Sequence, residues 1–168
     1  MPSLSPVERE AERLALLASV ELSADSEGRF NELVELAAFI SHTPMAGLTI
    51  VDEDTAWFKS SLGFTTGPVD RVGVPCDTTI QQTQPLIVTD VADDDRFATC
   101  KPVQDLGIRF YAGFPLLVHD DLAVGTLCVL DRRPRKLLSD ELHALRVIAD
   151  QAATQLRVSR LEAMLRNR

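Results

Sequence analysis

The chain has 168 residues, of which 45% are hydrophobic and 25% are charged, so its composition is that of a folded domain rather than a disordered chain. The net charge of −8 disfavours nucleic acid and anionic membrane surfaces as partners, because both are bound through clustered lysine and arginine. There is no apolar run approaching the ~18 residues of a membrane-spanning helix, no signal-peptide pattern and no disulfide framework among the three cysteines. We therefore expect one domain over residues 1–168, located in the reducing cytoplasm.

Two helices are predicted over residues 4–42. Ser5-Pro6-Val7-Glu8 is a helix start, with serine as the N-cap, proline in the first helical position and glutamate three residues after the cap. This helix should end near residues 23–26, and a second should begin at Asp25 or Ser26. The proline of Thr43-Pro44 should end the second helix. Apolar residues at helical spacing give that helix one buried face, formed by Phe30, Leu33, Val34, Ala37 and Ile40.

A sheet with its covering loops is predicted over residues 45–131. The last two strands form a central hairpin, whose almost continuous apolar sequence indicates that protein covers both of its faces. Gly113 and Gly125 lie inside this hairpin, which indicates close approach by another backbone or by a ligand. We expect a loop over residues 63–75, a short helix at Thr78–Thr83 capped by Asp77, and an acidic loop at residues 93–95. The predicted strands are Met45–Val51, Ala56–Leu62, Pro85–Asp90, Ile108–Val118 and Ala123–Leu130.

A long final helix is predicted over residues 139–166, with Ser139 as its cap. Its apolar residues follow a heptad-like spacing. From Asp140 to Leu165 it would be roughly 39 Å long at ~1.5 Å per residue, whereas strands of six to eight residues span about 20–26 Å. Because the helix should extend beyond the sheet, we expect a homodimer built on the two terminal helices.

This order of elements predicts an α+β fold in which a central antiparallel sheet carries the N- and C-terminal helices on one face and loops with short helices on the other. Three parts of the sequence also resemble a known family: Val51-Asp52-Glu53-Asp54 followed by Trp57-Phe58-Lys59, then Asp94-Asp95-Arg96-Phe97, then Ile108–Gly113 with Gly125–Asp131. They are similar to GAF domains, in particular those that precede bacterial kinase and cyclase outputs. The resemblance covers nearly the whole chain and implies a small-molecule sensor that signals to a partner protein.

In GAF domains a small ligand lies between the sheet and the segment that corresponds here to residues 76–108. The resemblance therefore implies a mostly apolar pocket with a few polar anchors. Arg109 either binds a carboxylate or phosphate of the ligand, or pairs with a loop carboxylate such as Asp90 or Asp95 and holds the cover in place. The resemblance specifies neither the ligand nor a cofactor. The candidate ligand-binding residues are Thr49, Arg109, Tyr111, Thr126 and Cys128 from the sheet, with Trp57, Cys76, Thr78, Asp90 and Phe97 around it.

Two alternatives stay open. The first is a thiol-based redox sensor or reductase that uses Cys76 and Cys100, although Thr78 stands where many relatives have histidine and Asp77 adds a negative charge beside any thiolate. The second is a ligand-free dimerisation module. The motif of the GAF proteins that reduce methionine sulfoxide is not matched, and the cysteines lack zinc-site spacing, so we predict neither an enzyme nor a metal site.

Overall fold

The computed structural model describes residues 3–20, 22 and 27–167. It contains five α-helices and six strands in the described part of the chain, together with a 3₁₀ helix at Val91–Asp93. The helices are α1 (Pro6–Ala18), α2 (Glu27–Ser41), α3 (Pro75–Thr79), α4 (Lys101–Leu106) and α5 (Ser139–Arg166), and the strands are β1 (Met45–Val51), β2 (Thr55–Leu62), β3 (Val69–Asp70), β4 (Leu86–Val88), β5 (Phe110–His119) and β6 (Leu122–Asp131).

The six strands form one antiparallel sheet in the order β3-β2-β1-β6-β5-β4. The two central strands, β1 and β6, are buried along their whole length because protein covers both faces of the sheet. Their register places Thr49 opposite Thr126, and β5 places Gly113 opposite Cys128. The predicted α+β class and the antiparallel sheet are thus confirmed, including the hairpin of β5 and β6.

The helices α1, α2 and α5 cover one face of the sheet. Their apolar residues meet alternate residues of the strands, such as Leu48 and Ile50 of β1, in the larger of two hydrophobic clusters. The second cluster lies on the opposite face, beneath α3, α4 and the loops between them. As predicted, the buried face of α2 is formed by Phe30, Val34 and Ala37, with Leu33 and Ile40 partly buried at its border.

Several predicted boundaries in the covering segment are wrong. The short helix begins at Pro75 rather than Thr78, and Val74 rather than Asp77 occupies its cap position, because proline is well suited to the first turn. The strand predicted over Pro85–Asp90 is limited to β4. In addition, α4 lies in a stretch for which no element was predicted, and β3 lies within the predicted loop of residues 63–75. The predicted start of the second helix at Asp25 or Ser26 falls outside the described residues.

The long final helix has the predicted extent. It begins at Ser139, so that the cap position falls on Leu138, whose backbone N–H donates to Glu141 Oε1 at 2.8 Å. With 28 residues it is about 42 Å long, whereas the ten-residue strands β5 and β6 span roughly 33 Å. Near its end, Arg160 donates to Oγ of Ser19, the residue that follows α1, at 2.9 Å. Past that contact, Leu161, Met164 and Leu165 are exposed by 51–64%.

The two hairpin glycines have different neighbours. A Cβ atom on Gly125 would lie 2.0 Å from the backbone oxygen of Thr49, so here the predicted close approach of another backbone is confirmed. A Cβ atom on Gly113 would lie 2.1 Å from Tyr111 Oη, so its neighbour is a side chain of the same strand rather than a backbone or a ligand. Gly113 therefore makes the space in which the Tyr111 ring lies.

Candidate functional site

A small apolar cavity lies between the sheet and its cover, on the face opposite the long helices. It has a volume of about 60 Å³, well below the roughly 300–1,000 Å³ of a drug-sized site. Of the described residues that line it, none is charged. Its floor is buried, and its rim includes the exposed Thr66 and the half-buried Pro102. The lining residues are Thr49, Ala56, Phe58, Thr66, Val69, Val74, Pro75, Cys76, Pro102, Val103, Leu106, Ile108, Tyr111, Cys128 and Leu130.

The polar part of the floor is centred on the sulfur of Cys76. Tyr111 Oη and Thr126 Oγ1 each donate to Cys76 Sγ at 3.6 Å, and Cys76 Sγ lies 3.5 Å from Thr49 Oγ1. Thr79 extends the cluster, since its Oγ1 donates to the Pro75 carbonyl at 2.9 Å and lies 3.0 Å from Tyr111 Oη. Three hydroxyl groups from three different strands thus converge on one sulfur atom.

The two cysteine thiols of the cavity have different pKa values. Hydrogen bonding from Cys128, opposed by burial and supported by the surrounding hydroxyls, lowers the pKa of Cys76 below that of an ordinary thiol. The same contact with Cys76, together with burial, raises the pKa of Cys128. Burial and the adjacent Cys76 also raise the pKa of Tyr111, so its phenol stays protonated as a donor. Cys76 is therefore the member of the pair that ionises first.

The predicted ligand-binding residues fall into three groups. Thr49, Cys76, Tyr111 and Cys128 line the cavity. Two more lie next to the cavity without lining it: Thr126 donates to Cys76 Sγ, and Phe97 is buried in the hydrophobic cluster beneath α3 and α4. The other four residues do not line it: they are Trp57, Thr78, Asp90 and Arg109.

Trp57 lies on the other face of the sheet, where it packs against the cluster beneath the long helices. The alternation of side chains along β2 accounts for this, because the adjacent Ala56 and Phe58 point into the cavity. Trp57 therefore belongs to the helix-covered core and not to the cavity.

Arg109 and Asp90 form an ion pair at the protein surface. Arg109 Nε and Nη2 donate to the two oxygens of Asp90 at 2.7 and 2.8 Å, and this hydrogen bonding lowers the pKa of the Asp90 carboxyl. Of the two sequence-based interpretations of Arg109, the contacts match the one in which it pairs with a loop carboxylate. Asp90 also accepts from the Ala92 N–H at 3.1 Å and so caps the 3₁₀ helix of the cover.

A second polar feature, not predicted from the sequence, connects the cover to α1. Arg71 donates from Nε to Asp77 Oδ1 of α3 at 2.7 Å and from Nη1 to Glu10 of α1. Glu10 also accepts two hydrogen bonds of 2.9 Å from Arg13, which is only 3% exposed and itself donates to the Val51 carbonyl at 2.7 Å. We call Asp77, Arg71, Glu10 and Arg13 the ion chain.

Glu10 accepts hydrogen bonds from both arginines of the ion chain. Although burial opposes it, hydrogen bonding from Arg13 and Arg71 lowers the pKa of the Glu10 carboxyl to about 2. The ion chain is not evident from the sequence, because Glu10 and Arg13 are far from Arg71 and Asp77 along the chain and only the fold brings them together. Thr79 was recognisable, since it lies three residues after Cys76 and thus on the same side of a helix, but it was not predicted.

Within the described residues, no group of three or more His, Cys, Asp or Glu side chains is arranged to hold a metal ion. Nor does any helix among them have the length and apolar character needed to cross a membrane.

Comparison with known proteins places this geometry in a family. The family model described as "GAF domain" matches residues 10–156. A cyclic di-GMP phosphodiesterase of Pseudomonas aeruginosa is 36% identical over 112 residues, which are 66% of this chain and 19% of the relative. The chain thus spans about a fifth of the length of that curated relative.

Solved structures agree at the level of the fold. The blue-light-absorbing form of the PixJ GAF domain of Thermosynechococcus elongatus superposes with a TM-score of 0.67 at 14% identity, covering 98% of this chain and 96% of that one. A GAF domain/HD domain protein of Geobacter sulfurreducens gives 0.67 at 15% identity, covering 87% and 98%.

Proposed function

This chain belongs to the GAF domain family of signalling and sensor domains, and we propose that it senses a small uncharged molecule in the cavity beneath α3 and α4 and relays its binding to the terminal helices. The observation that carries the proposal is the cavity itself, with apolar walls and a floor of hydroxyl and thiol groups. The proposed role is that of a binding domain rather than an enzyme, in the cytoplasmic setting expected from the sequence, with a partner protein reading its state.

The chemistry of the lining favours one class of ligand. Cyclic nucleotides, dinucleotides and carboxylate-bearing cofactors carry negative charges that binding sites usually meet with arginine or lysine. The described lining residues include neither, and Arg109 is already paired with Asp90 at the surface. A compact apolar molecule with one polar atom would fit this cavity. Its apolar part would contact the walls, and its polar atom would bind the floor of Thr49, Tyr111 and Cys76. Any ligand larger than a few heavy atoms requires the cover to move outward.

The ion chain gives such a movement a route to α1. Cys76 and Asp77 are adjacent in α3, so a displacement of α3 by a ligand changes the position of the carboxylate that Arg71 binds. Arg71 is 14% exposed and bonds at its other end to Glu10, which fixes α1 against the sheet through Arg13. A ligand that binds one position of α3 better than another therefore shifts the equilibrium position of α1.

The proposed output is a homodimer formed by the terminal helices. Exposed apolar residues are concentrated in the last turns of α5, and the end of α1 lies beside them at Ser19. The change of Leu161 and Leu165 to glutamate should convert a dimer to a monomer in sedimentation equilibrium. Val72→Glu, at a position 82% exposed in the cover, is the matched control and should leave the mass unchanged. A monomeric wild-type protein would contradict the dimer.

The ligand proposal is tested by native mass spectrometry of protein purified from its host, followed by thermal unfolding with a panel of uncharged metabolites and cyclic nucleotides. An uncharged compound that raises the unfolding temperature should fail to do so in Val103→Phe, because the larger side chain fills the cavity. The same change at exposed Val72 serves as the control and should keep the response. Stabilisation by a cyclic nucleotide that survives Val103→Phe would overturn the assigned cavity and ligand class.

A further inference from the structure

The cavity floor brings together two cysteines from different elements. Cys76 belongs to α3 and Cys128 to β6, and both line the cavity. Cys76 Sγ accepts a hydrogen bond from Thr126, which lies two residues before Cys128 and on the same face of β6. They are only 7% and 1% exposed, yet the cavity reaches from them to the rim at Thr66. A molecule of a few atoms that passes the rim therefore meets sulfur.

The surroundings give the two sulfurs different chemistry. Tyr111, Thr126 and Thr49 place hydroxyl groups around Cys76 Sγ, an environment that stabilises negative charge on sulfur. Hydrogen bonding from Cys128, together with these hydroxyl groups and against burial, lowers the pKa of Cys76, whereas the contact with Cys76 and burial raise the pKa of Cys128. Because the thiolate is the nucleophile, Cys76 is the attacking residue and Cys128 stays a thiol until a reactive neighbour forms.

We propose that Cys76 and Cys128 form a redox pair, which a hydroperoxide entering the cavity converts into an intramolecular disulfide. The pair differs from the Cys76–Cys100 pair considered from the sequence, since Cys100 occupies the cap position of α4 and is not among the described lining residues. The reaction uses the cavity as an access route and needs no bound ligand, so it stands independently of the proposed sensing function.

The chemistry balances in two steps. The Cys76 thiolate attacks the outer oxygen of the hydroperoxide, the O–O bond breaks, and the alkoxide that leaves takes up the proton released by Cys76. Cys76 is then a sulfenic acid. The Cys128 sulfur attacks the Cys76 sulfur, the S–O bond breaks, and the hydroxide leaves as water with the Cys128 proton. Two thiols and one hydroperoxide thus give one disulfide, one alcohol and one water. A dithiol reductant reverses the change by thiol–disulfide exchange.

Closure of the disulfide bears on the ion chain. Disulfide closure requires the two sulfurs to come within about 2.05 Å of each other. Because Cys128 lies in the central strand β6 and Cys76 in the short helix α3, Cys76 is expected to make most of this movement, away from the hydroxyl groups that lie 3.5–3.6 Å from its sulfur. Asp77, the next residue, is bonded to Arg71, so oxidation acts on the same connection to α1 as the movement of α3 described above.

Tryptic peptides provide a direct test, because each cysteine falls in its own peptide. Cleavage after arginine and lysine, with the Lys101–Pro102 bond resistant, gives residues 72–96 with Cys76, residues 97–109 with Cys100 and residues 110–132 with Cys128. The reduced full-length protein is treated with hydrogen peroxide, alkylated, and digested without reduction. We expect the intact protein to lose two hydrogen atoms and the peptides 72–96 and 110–132 to appear as one linked species.

Three cysteine-to-serine variants test which two cysteines form the disulfide. Cys100→Ser should keep the linked species, whereas Cys76→Ser and Cys128→Ser should both lose it, and Cys128→Ser should retain an oxygen on Cys76 that a sulfenic acid reagent traps. A link to the peptide 97–109 would overturn the pairing. Oxidation that adds oxygen to wild-type Cys76 but forms no linked peptide would also overturn it. The same holds if both thiols of the folded protein stay free at a peroxide concentration that oxidises the urea-unfolded chain. The wild-type peptide map decides the matter even if a variant fails to fold.

Discussion

Replacement of Glu10 by glutamine should remove stability that depends on pH. The change leaves the shape of the side chain intact but takes away the charge between Arg13 and Arg71, two guanidinium groups that are 4% and 14% exposed. The change leaves the buried Arg13 without the carboxylate that it binds, while Arg71 keeps only Asp77, and removal of one partner is the costly way to break a buried ionic network.

The size of the effect follows from the Glu10 carboxyl. Its pKa falls from 4.5 to about 2, with burial opposing the hydrogen bonds from Arg13 and Arg71. A difference of about 2.5 pKa units corresponds to roughly 3.4 kcal/mol at ~1.36 kcal/mol per unit. The side chain is 33% exposed, and solvent screening reduces the expected loss to about 1.5–2 kcal/mol. Because the folded-state pKa is depressed, this stability is fully present above pH 4.5 and is lost as the pH falls towards about 2.

Urea unfolding of the wild type and Glu10→Gln from neutral pH down to the acid limit of folding measures this directly. The two free energies of unfolding should differ near neutral pH and converge as the pH falls through the window of Glu10. Glu12→Gln makes the same chemical change at an exposed position of α1 and should follow the wild type. A Glu10→Gln difference that is absent near neutral pH, or that does not shrink in acid, would refute the role given to the ion chain.

Three further changes test the packing. Gly113→Ala should lower the free energy of unfolding by about 1–3 kcal/mol in urea, because the added methyl displaces the adjacent tyrosine ring; Gly28→Ala, with nothing within 4 Å, is the control and should be neutral or stabilising. Ser5→Ala should cost about 1 kcal/mol in thermal unfolding, because Ser5 accepts from the Glu8 N–H, and an unchanged unfolding temperature would contradict the cap. Leu145→Ala should cost about 2–5 kcal/mol in urea, because Leu145 is fully buried; an equal loss in Leu4→Ala, at a 43% exposed position, would contradict that reason.

The elements predicted best were those with a distinct apolar pattern along their whole length. The strand Met45–Val51 and the helix from Ser139 are examples, because continuous burial in the first and heptad-like spacing in the second leave few alternatives. The covering segment was predicted less well. Its helices α3 and α4 have five and six residues, too short for a recognisable period, and their starts depend on prolines at positions 75 and 102.

The site shows the same division. The residues that line the cavity from the sheet, such as Thr49 and Tyr111, were recognisable as polar residues within apolar strands. Trp57 was assigned to the wrong face of the sheet. Successive strand residues alternate between the two faces, and the sequence does not show which face the first residue of a strand occupies. Arg71 escaped notice because its partners lie 61 residues before it and six residues after it, and only the fold brings Glu10 and Asp77 within reach of one guanidinium.

The sheet also has a property that concerns its behaviour in a crowded cell. Its two outer strands are its shortest, with two residues in β3 and three in β4, and prolines at positions 68 and 85 precede them. Long outer strands have unpaired backbone N–H and C=O groups that can form hydrogen bonds with strands of other molecules. Short outer strands next to prolines have few such groups. The short outer strands of this sheet therefore offer little backbone for edge-to-edge pairing between molecules.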